Sequence, residues 1–277
     1  MFVPAELFMT PAAEQLHNRN DFLEPGQNAP LDLTVMVSCY NERDYIISTL
    51  DSLTSALAEA GVSKYEIIVV DDTSKDDSPR LVRDYILAHP EQRILLRQNK
   101  VNRGLAQNYF DAAFLGKGKY YRMLCGDDAE PRDTMVTVFR ELGKADILVP
   151  YYVTAEGKSL YRRMLSNAFS ELVNLISGHR LHYYNGLAVH LRYNVMRWHP
   201  STRGFGFQAD VMCMLLDHGF SYKEIPVRTV ERKGAANSRA LTFKNQISVA
   251  HTLIDLLFRR ISHWIYKRPP AGTIDNT

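Results

Sequence analysis

The sequence is poor in features that mark several protein classes. Its three cysteines, Cys39, Cys125 and Cys213, stand far apart with no C-x-x-C pair, which excludes a disulfide framework and a thiolate zinc site. They read instead as small hydrophobes in a reducing compartment. No stretch reaches the roughly 18 uncharged apolar residues needed to span a bilayer. No basic segment followed by an apolar run marks a signal peptide at the start. The chain is therefore expected in the cytoplasm, free or peripheral on the inner face of a membrane. Internal repeats and low-complexity tracts are absent. No G-x-G-x-x-G follows the first strand and no G-x-x-x-x-G-K-[ST] occurs anywhere, which argues against dinucleotide oxidoreductases and P-loop nucleotidases.

An excess of one charge is also lacking. The 277 residues hold 33 Lys and Arg against 31 Asp and Glu, a net charge of +2. With 45% hydrophobic and 23% charged residues, the composition is that of a globular chain, neither disordered nor collagen-like. The average hides position, however. Residues 228–268 hold nine Lys and Arg against two acids and carry +7, while the rest, with 24 basic and 29 acidic residues, carries −5. Near-neutrality therefore does not exclude anionic ligands, although nothing predicts nucleic acid as a partner.

What is present is an alternation of strand and helix. Residues 1–30 read as an extension, with a short helix after Thr10-Pro11 and stops at Pro25-Gly26 and Pro30. Strands are predicted at 31–39, 65–70, 93–96, 120–124 and 147–149. Helices fall between them, at 45–61, 78–89, 104–115 and 132–142. The run Ile67-Ile68-Val69-Val70 is of the kind buried on both faces of a parallel sheet. The second half reads as a helix at 160–176, an irregular stretch, a helix at 209–218, a strand at 222–228 and a last helix from 241 to about 266. This order implies an α/β fold with a mostly parallel, Rossmann-like sheet and right-handed crossovers.

Ligands of open α/β sheets bind beyond the carboxyl ends of the strands. Those ends are polar or acidic here: Tyr40-Asn41-Glu42 after the first strand, Asp71-Asp72 after the second, Asp127-Asp128 after the fourth. All three should converge on one crevice. Asp72 reads equally as a ligand or as part of an ordinary helix start beside Asp76 and Ser78. Asp127 and Asp128 repel each other unless a cation or hydrogen bonds compensate. They suit Mg²⁺ or Mn²⁺ completed by substrate phosphates, or else a plain turn before Pro131.

At these residues the sequence resembles the inverting family 2 glycosyltransferases of GT-A fold. Ser38-Cys39-Tyr40-Asn41-Glu42 is similar to the family's P-x-Y-N-E, and residues 70–76 to its V-D-D-x-S-x-D. Asn102-Arg103-Gly104 with Asn108 is similar to N-x-G on the donor side, and Gly126-Asp127-Asp128 stands at the metal-binding D-x-D. The resemblance implies a nucleotide-diphosphate sugar donor held by Tyr40, Glu42, Asp71, Asp72, Asn102, Gly104 and Asp127. It implies Mg²⁺ or Mn²⁺ on Asp127 and Asp128, with Asp128 taking part in catalysis.

The second half resembles the polyprenyl-phosphate sugar transferases, through Gly206 to Asp210, Lys223 to Val227 and Glu231-Arg232-Lys233-Gly234 with Ser238. This implies that Arg232 and Lys233 contact the donor diphosphate and that Arg162 and Arg163 meet an acceptor phosphate. Where that subgroup reads D-x-x-S-G-F-R, this chain reads His182-Tyr183-Tyr184-Asn185-Gly186-Leu187-Ala188. In the metal motif, Gly126 replaces a carboxylate.

Two acceptors stay open, a polyprenyl phosphate or a hydroxyl of a glycan or small molecule. A phosphate needs no base, since its second pKa is about 6. A hydroxyl gains from one, and Asp210 is the candidate, unless it only faces a helix dipole. His182 is a candidate acceptor contact, and Tyr183, Tyr184 and Trp198 either line a cleft or pack the core. The last helix carries Ile247, Leu253, Ile254, Leu257, Ile261 and Trp264/Ile265 on one side, with Arg259, Arg260, Lys267 and Arg268 elsewhere. That pattern fits a packed helix, a homo-oligomer contact or a membrane surface. The division expected is 1–30 extension, 31–150 donor half, 151–240 acceptor half with basic loop, and 241–277 terminal helix and tail. A different class, an inactive nucleotide-sugar-binding or scaffold subunit, is compatible with the altered motifs.

Overall fold

A computed structural model describes residues 31–156, 160–198, 206–230 and 243–266. The elements are β1 (Leu31–Cys39), α1 (Ile46–Ala60), β2 (Tyr65–Asp71), α2 (Ser78–Ala88), β3 (Ile94–Gln98), α3 (Leu105–Leu115), β4 (Gly118–Cys125), α4 (Arg132–Phe139) and β5 (Ile147–Glu156). There follow α5 (Leu160–Ser177), β6 (Val189–Leu191), α6 (Arg192–Met196), α7 (Phe207–Asp217), β7 (Tyr222–Val230) and α8 (Phe243–Tyr266). The strands form one sheet in the order β3-β2-β1-β4-β6-β5-β7. β3, β2, β1 and β4 pair in parallel, and so do β5 and β7. β6 is antiparallel to both of its neighbours.

The predicted irregular stretch thus contains a strand and a short helix. Three residues of strand are too few to show a period of two, so β6 has no sequence signature. β5 also runs on to Glu156, beyond the predicted apolar triplet, because it pairs with β7 along its whole length.

Alternation along β1 divides the core. Leu33, Val35 and Val37 pack on α1, α2 and α4 through Leu50, Leu53, Val82 and Met135. Met36 faces the opposite layer, with Tyr109 of α3, Val173 of α5, Trp198 and Phe207. Helices therefore cover both faces, which is why the central strands read as unbroken apolar runs. Local chemistry sets the helix ends. Gly61 (φ 76°) closes α1 in the left-handed conformation, its N–H bonded to Ala58 O while Val62 N–H reaches Leu57 O. α2 starts with Pro79 in its first turn.

Candidate active site

The chain leaves β1 toward β2 on one side and returns through β4 on the other, so the sheet's switch point lies between β1 and β4. Cys39 is level with Asp71 and Ser38 with Cys125. Three strand ends therefore finish at one height within two strand spacings, about 10 Å. The polar segments that follow them are neighbours because parallel register makes them so.

Hydrogen bonds lace these segments together. Asn41, at φ 58°, donates its N–H to Ser74 Oγ (2.9 Å), and its Oδ1 accepts from Lys75 N–H (2.7 Å). Glu42 N–H donates to Ser78 Oγ (2.9 Å) and Arg43 N–H to Asp76 Oδ2 (3.1 Å). Burial by itself would raise the pKa of Asp76. Hydrogen bonds from Ser78 and Arg43, with the Arg43 charge, outweigh it and hold the carboxyl below its ordinary value.

Asp72 is a hub. Its Oδ1 accepts from Arg103 N–H and Asn99 Nδ2, both at 2.8 Å, and its Oδ2 from Gly104 N–H at 2.9 Å. Asn102 Nδ2 donates to Asp72 O (3.0 Å). Three of the predicted donor-binding residues, Asp72, Asn102 and Gly104, are thus in direct contact. The Asp72 carboxylate is spent on holding the loop before α3, a contact that differs from the expected helix start beside Asp76 and Ser78. Gly104 (φ 82°, ψ 159°) sits where a side chain is strongly disfavoured.

Asp71 differs. It is buried, its Oδ2 takes only a long 3.4 Å bond from Ser74 N–H, and its Oδ1 has no partner among the described residues. A buried, unpaired carboxylate oxygen is costly unless a ligand supplies a donor.

Gly126 N–H donates to Ser38 O (2.9 Å), and a Cβ there would lie 2.6 Å from that oxygen. The strand-end turn leaves no room for a carboxylate at this position. Asp127 Oδ1 accepts Ala129 N–H (3.3 Å), and Asp128, at φ 52°, receives a 3.4 Å bond from Ser52 Oγ of α1. Neighbouring Cys125 is pushed up to about 12, first by burial and then by the Asp127 charge, so it is a neutral thiol. Beneath this turn, buried Arg122 of β4 holds Glu130 at 2.5 Å. No cluster of three or more His, Cys, Asp or Glu among the described residues could hold a metal alone. Asp127 and Asp128 are a partial set of hard oxygen donors, which fits Mg²⁺ or Mn²⁺ sharing its shell with phosphate oxygens and water.

On the other side of the crevice, Asp210 stands in the first turn of α7 and is only 2% exposed. Trp198 Nε1 donates to its Oδ2 (2.7 Å), and Arg259 of α8 forms an ion pair with its Oδ1. Both oxygens are engaged, and the sequence linked neither Trp198 nor Arg259 to Asp210. His182 is exposed, stacked on Tyr151 (4.6 Å between centroids), and bonded through Nδ1 and its N–H to Glu224 of β7 (both 2.8 Å). Tyr184 and Trp198 are core residues, and Tyr183 packs edge-on against Tyr152. Arg163 is exposed on α5. Arg232 and Lys233 lie outside the described residues, as does the side chain of Arg162.

The sequence profile of "Glycosyl transferase family 2" matches residues 34–207. Over 107 residues the chain is 36% identical to a dolichyl-phosphate beta-glucosyltransferase of Dictyostelium discoideum, an alignment covering 36% of this chain and 33% of that protein. It is 31% identical over 141 residues to the succinoglycan biosynthesis protein ExoO of Rhizobium meliloti, covering 50% and 38%. The chain thus spans only about a third of the length of the curated relatives it matches. Among solved structures, the mannosyltransferase PcManGT of Pyrobaculum calidifontis, in complex with GDP-Man and Mn²⁺, superposes with a TM-score of 0.59 at 19% identity, over 87% of this chain and 74% of that one. Glucosyl-3-phosphoglycerate synthase of Mycobacterium tuberculosis with UDP gives 0.61 at 14% identity, over 93% and 87%. These likenesses show the shared α/β architecture.

Proposed function

The chain belongs to glycosyl transferase family 2, and from that premise we propose that it is a metal-dependent inverting enzyme that transfers a hexose from a nucleotide-diphosphate sugar. The observation that carries this reading is the switch-point crevice. Asp71 Oδ1 waits there for a donor, and Asp127 and Asp128 offer hard oxygens two strands away. That Mn²⁺ and a nucleotide sugar accompany PcManGT is consistent with it. In the donor half, 31–150, Asp71 would take a base N–H, with Tyr40 and Glu42, which follow the neighbouring strand β1, as further donor contacts. Asp72 acts indirectly, keeping Asn102 and Gly104 in place.

Asp127 and Asp128 would hold Mg²⁺ or Mn²⁺, which when bound neutralises the diphosphate as it leaves. Arg232 and Lys233 add positive charge to the same oxygens. Glycosyl transfer passes through an oxocarbenium-like transition state, so stabilising the departing charge is the main task on this side.

The acceptor half, 151–240, decides what attacks. Asp210 with both oxygens engaged is a poor base as it stands, which favours an acceptor that needs none. A polyprenyl phosphate at a membrane is such an acceptor, and Arg162 and Arg163 would meet it, with His182 at the rim. A glycan hydroxyl would require Asp210 to exchange Trp198 or Arg259 for the acceptor. Peripheral attachment at the inner face of a membrane goes with the first choice.

Titration calorimetry with nucleotide-diphosphate sugars, with and without Mn²⁺, is the test, followed by the anomeric configuration of the product. Metal-dependent binding and an inverted product are expected. A second reading, an inactive nucleotide-sugar-binding subunit, is favoured by the closed space at Gly126 and the sealed Asp210. Binding without metal and without turnover of any donor would establish it.

A further inference from the structure

A charged pair is buried between β4 and α4, beneath the turn that carries Asp127 and Asp128. Tyr121 and Met123 of β4 face the α3 layer. Arg122 between them therefore points to the other face, where its guanidinium lies over the Phe139 ring of α4, 5.3 Å from the centroid. Its side chain is 1% exposed, and that of its partner Glu130 9%.

Two nitrogens of this guanidinium are committed to different parts of the chain. Nη2 donates to Glu130 Oε1 (2.5 Å), and Nε donates to Leu187 O (3.0 Å). Glu130 is the last residue of the metal turn before Pro131 and α4, two positions beyond Asp128. Leu187 belongs to the segment 185–187 that leads into β6. That segment is also fixed from other directions. Gln208 of α7, its amide turned to donate, reaches Asn185 O (3.1 Å) and Gly186 O (2.9 Å). Gly186 lies so close to β5 that a Cβ there would stand 2.2 Å from Pro150 O. Gln208 is two residues before Asp210. A continuous path of bonds thus runs from the metal turn through Arg122 and 185–187 to the helix of the acceptor-side carboxylate.

Stability does not account for the pair. Arg122 Nη1 and Glu130 Oε2 are buried without a partner among the described residues. A desolvated ion pair with unmet hydrogen bonds is often no more stabilising than apolar side chains of similar volume. What the pair supplies, and apolar residues do not, is direction. A planar forked guanidinium fixes two acceptors in one plane relative to each other.

We propose that Arg122 is a positioning residue that sets the 126–130 turn against the 185–187 segment, so that the donor-side carboxylates and the acceptor half keep one fixed relation. The tie between the two segments stands without the transferase reading; only the statement that the turn holds a metal rests on it. Groups that orient metal ligands from behind typically change metal affinity by about ten- to a hundredfold when removed.

The test is to remove both charges of the full chain together, by Arg122→Met with Glu130→Leu. The denaturant midpoint should stay at or above that of the parent. Amide hydrogen exchange, read by mass spectrometry, should speed at least about tenfold in 126–130 and in 185–187 and stay unchanged elsewhere. Mn²⁺ alone, titrated by electron paramagnetic resonance, should bind about tenfold more weakly. Arg122→Lys keeps the charge opposite Glu130 but loses the fork. It should speed exchange in 185–187 at an unchanged melting temperature, and it decides alone if the double variant does not fold. Failure of the parent to bind Mn²⁺ would count against the metal reading alone, and the exchange measurements would still decide the tie. The proposal is overturned if either segment of the double variant exchanges as in the parent, or if Mn²⁺ affinity holds while the turn loosens. It is likewise overturned if a folded double variant shows a lower midpoint and faster exchange throughout, which would make the pair a stabiliser only.

Discussion

The two sides of the crevice hold their polar residues by different means. On the donor side, loops that follow adjacent parallel strands bond to each other: Asn41 to Ser74 and Lys75, Asp72 to Arg103 and Gly104. Strand register brings these groups together, and each loop completes the next. On the acceptor side two candidates are gripped by elements that arrive much later, Asp210 by Arg259 of α8 and His182 by Glu224 of β7. The donor side is a self-consistent network, and the acceptor side depends on how distant pieces dock.

The comparison would break most severely at the metal turn. Replacing both Asp127 and Asp128 by Asn should abolish metal-dependent binding of a nucleotide-diphosphate sugar and slow transfer at least about a thousandfold. Calorimetry with and without Mn²⁺ reads the first effect, and product formation the second. Undiminished metal dependence would move the metal elsewhere.

Next comes the acceptor-side ion pair. Arg259→Met leaves the buried Asp210 carboxylate with Trp198 alone and should cost about 3 kcal/mol of stability by denaturant unfolding. Asp210→Asn separates the two acceptors. With a hydroxyl acceptor, transfer should fall at least about a hundredfold. With a phosphate acceptor, transfer should stay within about threefold of the parent.

Acid should distinguish the sides as well. Burial of His190 in β6 lowers its pKa from 6.5 to about 4. The unfolded chain then binds the proton more tightly than the folded one. The contribution of neutral His190 is whole above pH 6.5 and is withdrawn as pH falls from 6.5 to 4, about 3 kcal/mol in all. On the donor side, Asp76 is depressed below 3.8, so its contribution is present above that value and is lost only at lower pH. Denaturant titrations should show a decline beginning near pH 6.5 that His190→Gln flattens. An unchanged slope in that variant would remove His190 as the cause.

The smallest effect sharpens the donor network. Asp72→Ala removes acceptors for three donors and should cost about 2 kcal/mol. Nucleotide-sugar affinity should fall only indirectly, through a loosened 99–104 loop. An affinity loss far larger than the stability loss would make Asp72 a direct ligand.

Legibility followed the same divide. The strands at 31–39 and 65–70 stood out because both faces are buried, and the polar segments at 40–42, 71–72 and 127–128 could be placed at one edge from parallel order alone. β6 could not be read, since three residues show no period, and its place between β4 and β5 depends on both neighbours. That Gly126 excludes a carboxylate depends on the position of Ser38 O, which no local pattern reports. Trp198 and Arg259 were missed as partners of Asp210 because 12 and 49 residues separate them from it, with no register to link them.

The sequence alone determined the α/β alternation, the acidic strand ends and the amphipathic period of the last helix, because each is written in neighbouring residues. Tertiary structure decided which face of α5 and α8 looks outward, that Asp72 is consumed within the protein while Asp71 keeps an oxygen unpaired among the described residues, and that Asp210 is sealed. Those outcomes depend on which surfaces meet across long stretches of chain. Packing settles that competition through buried area and paired charge, and hydrophobic periodicity does not encode it.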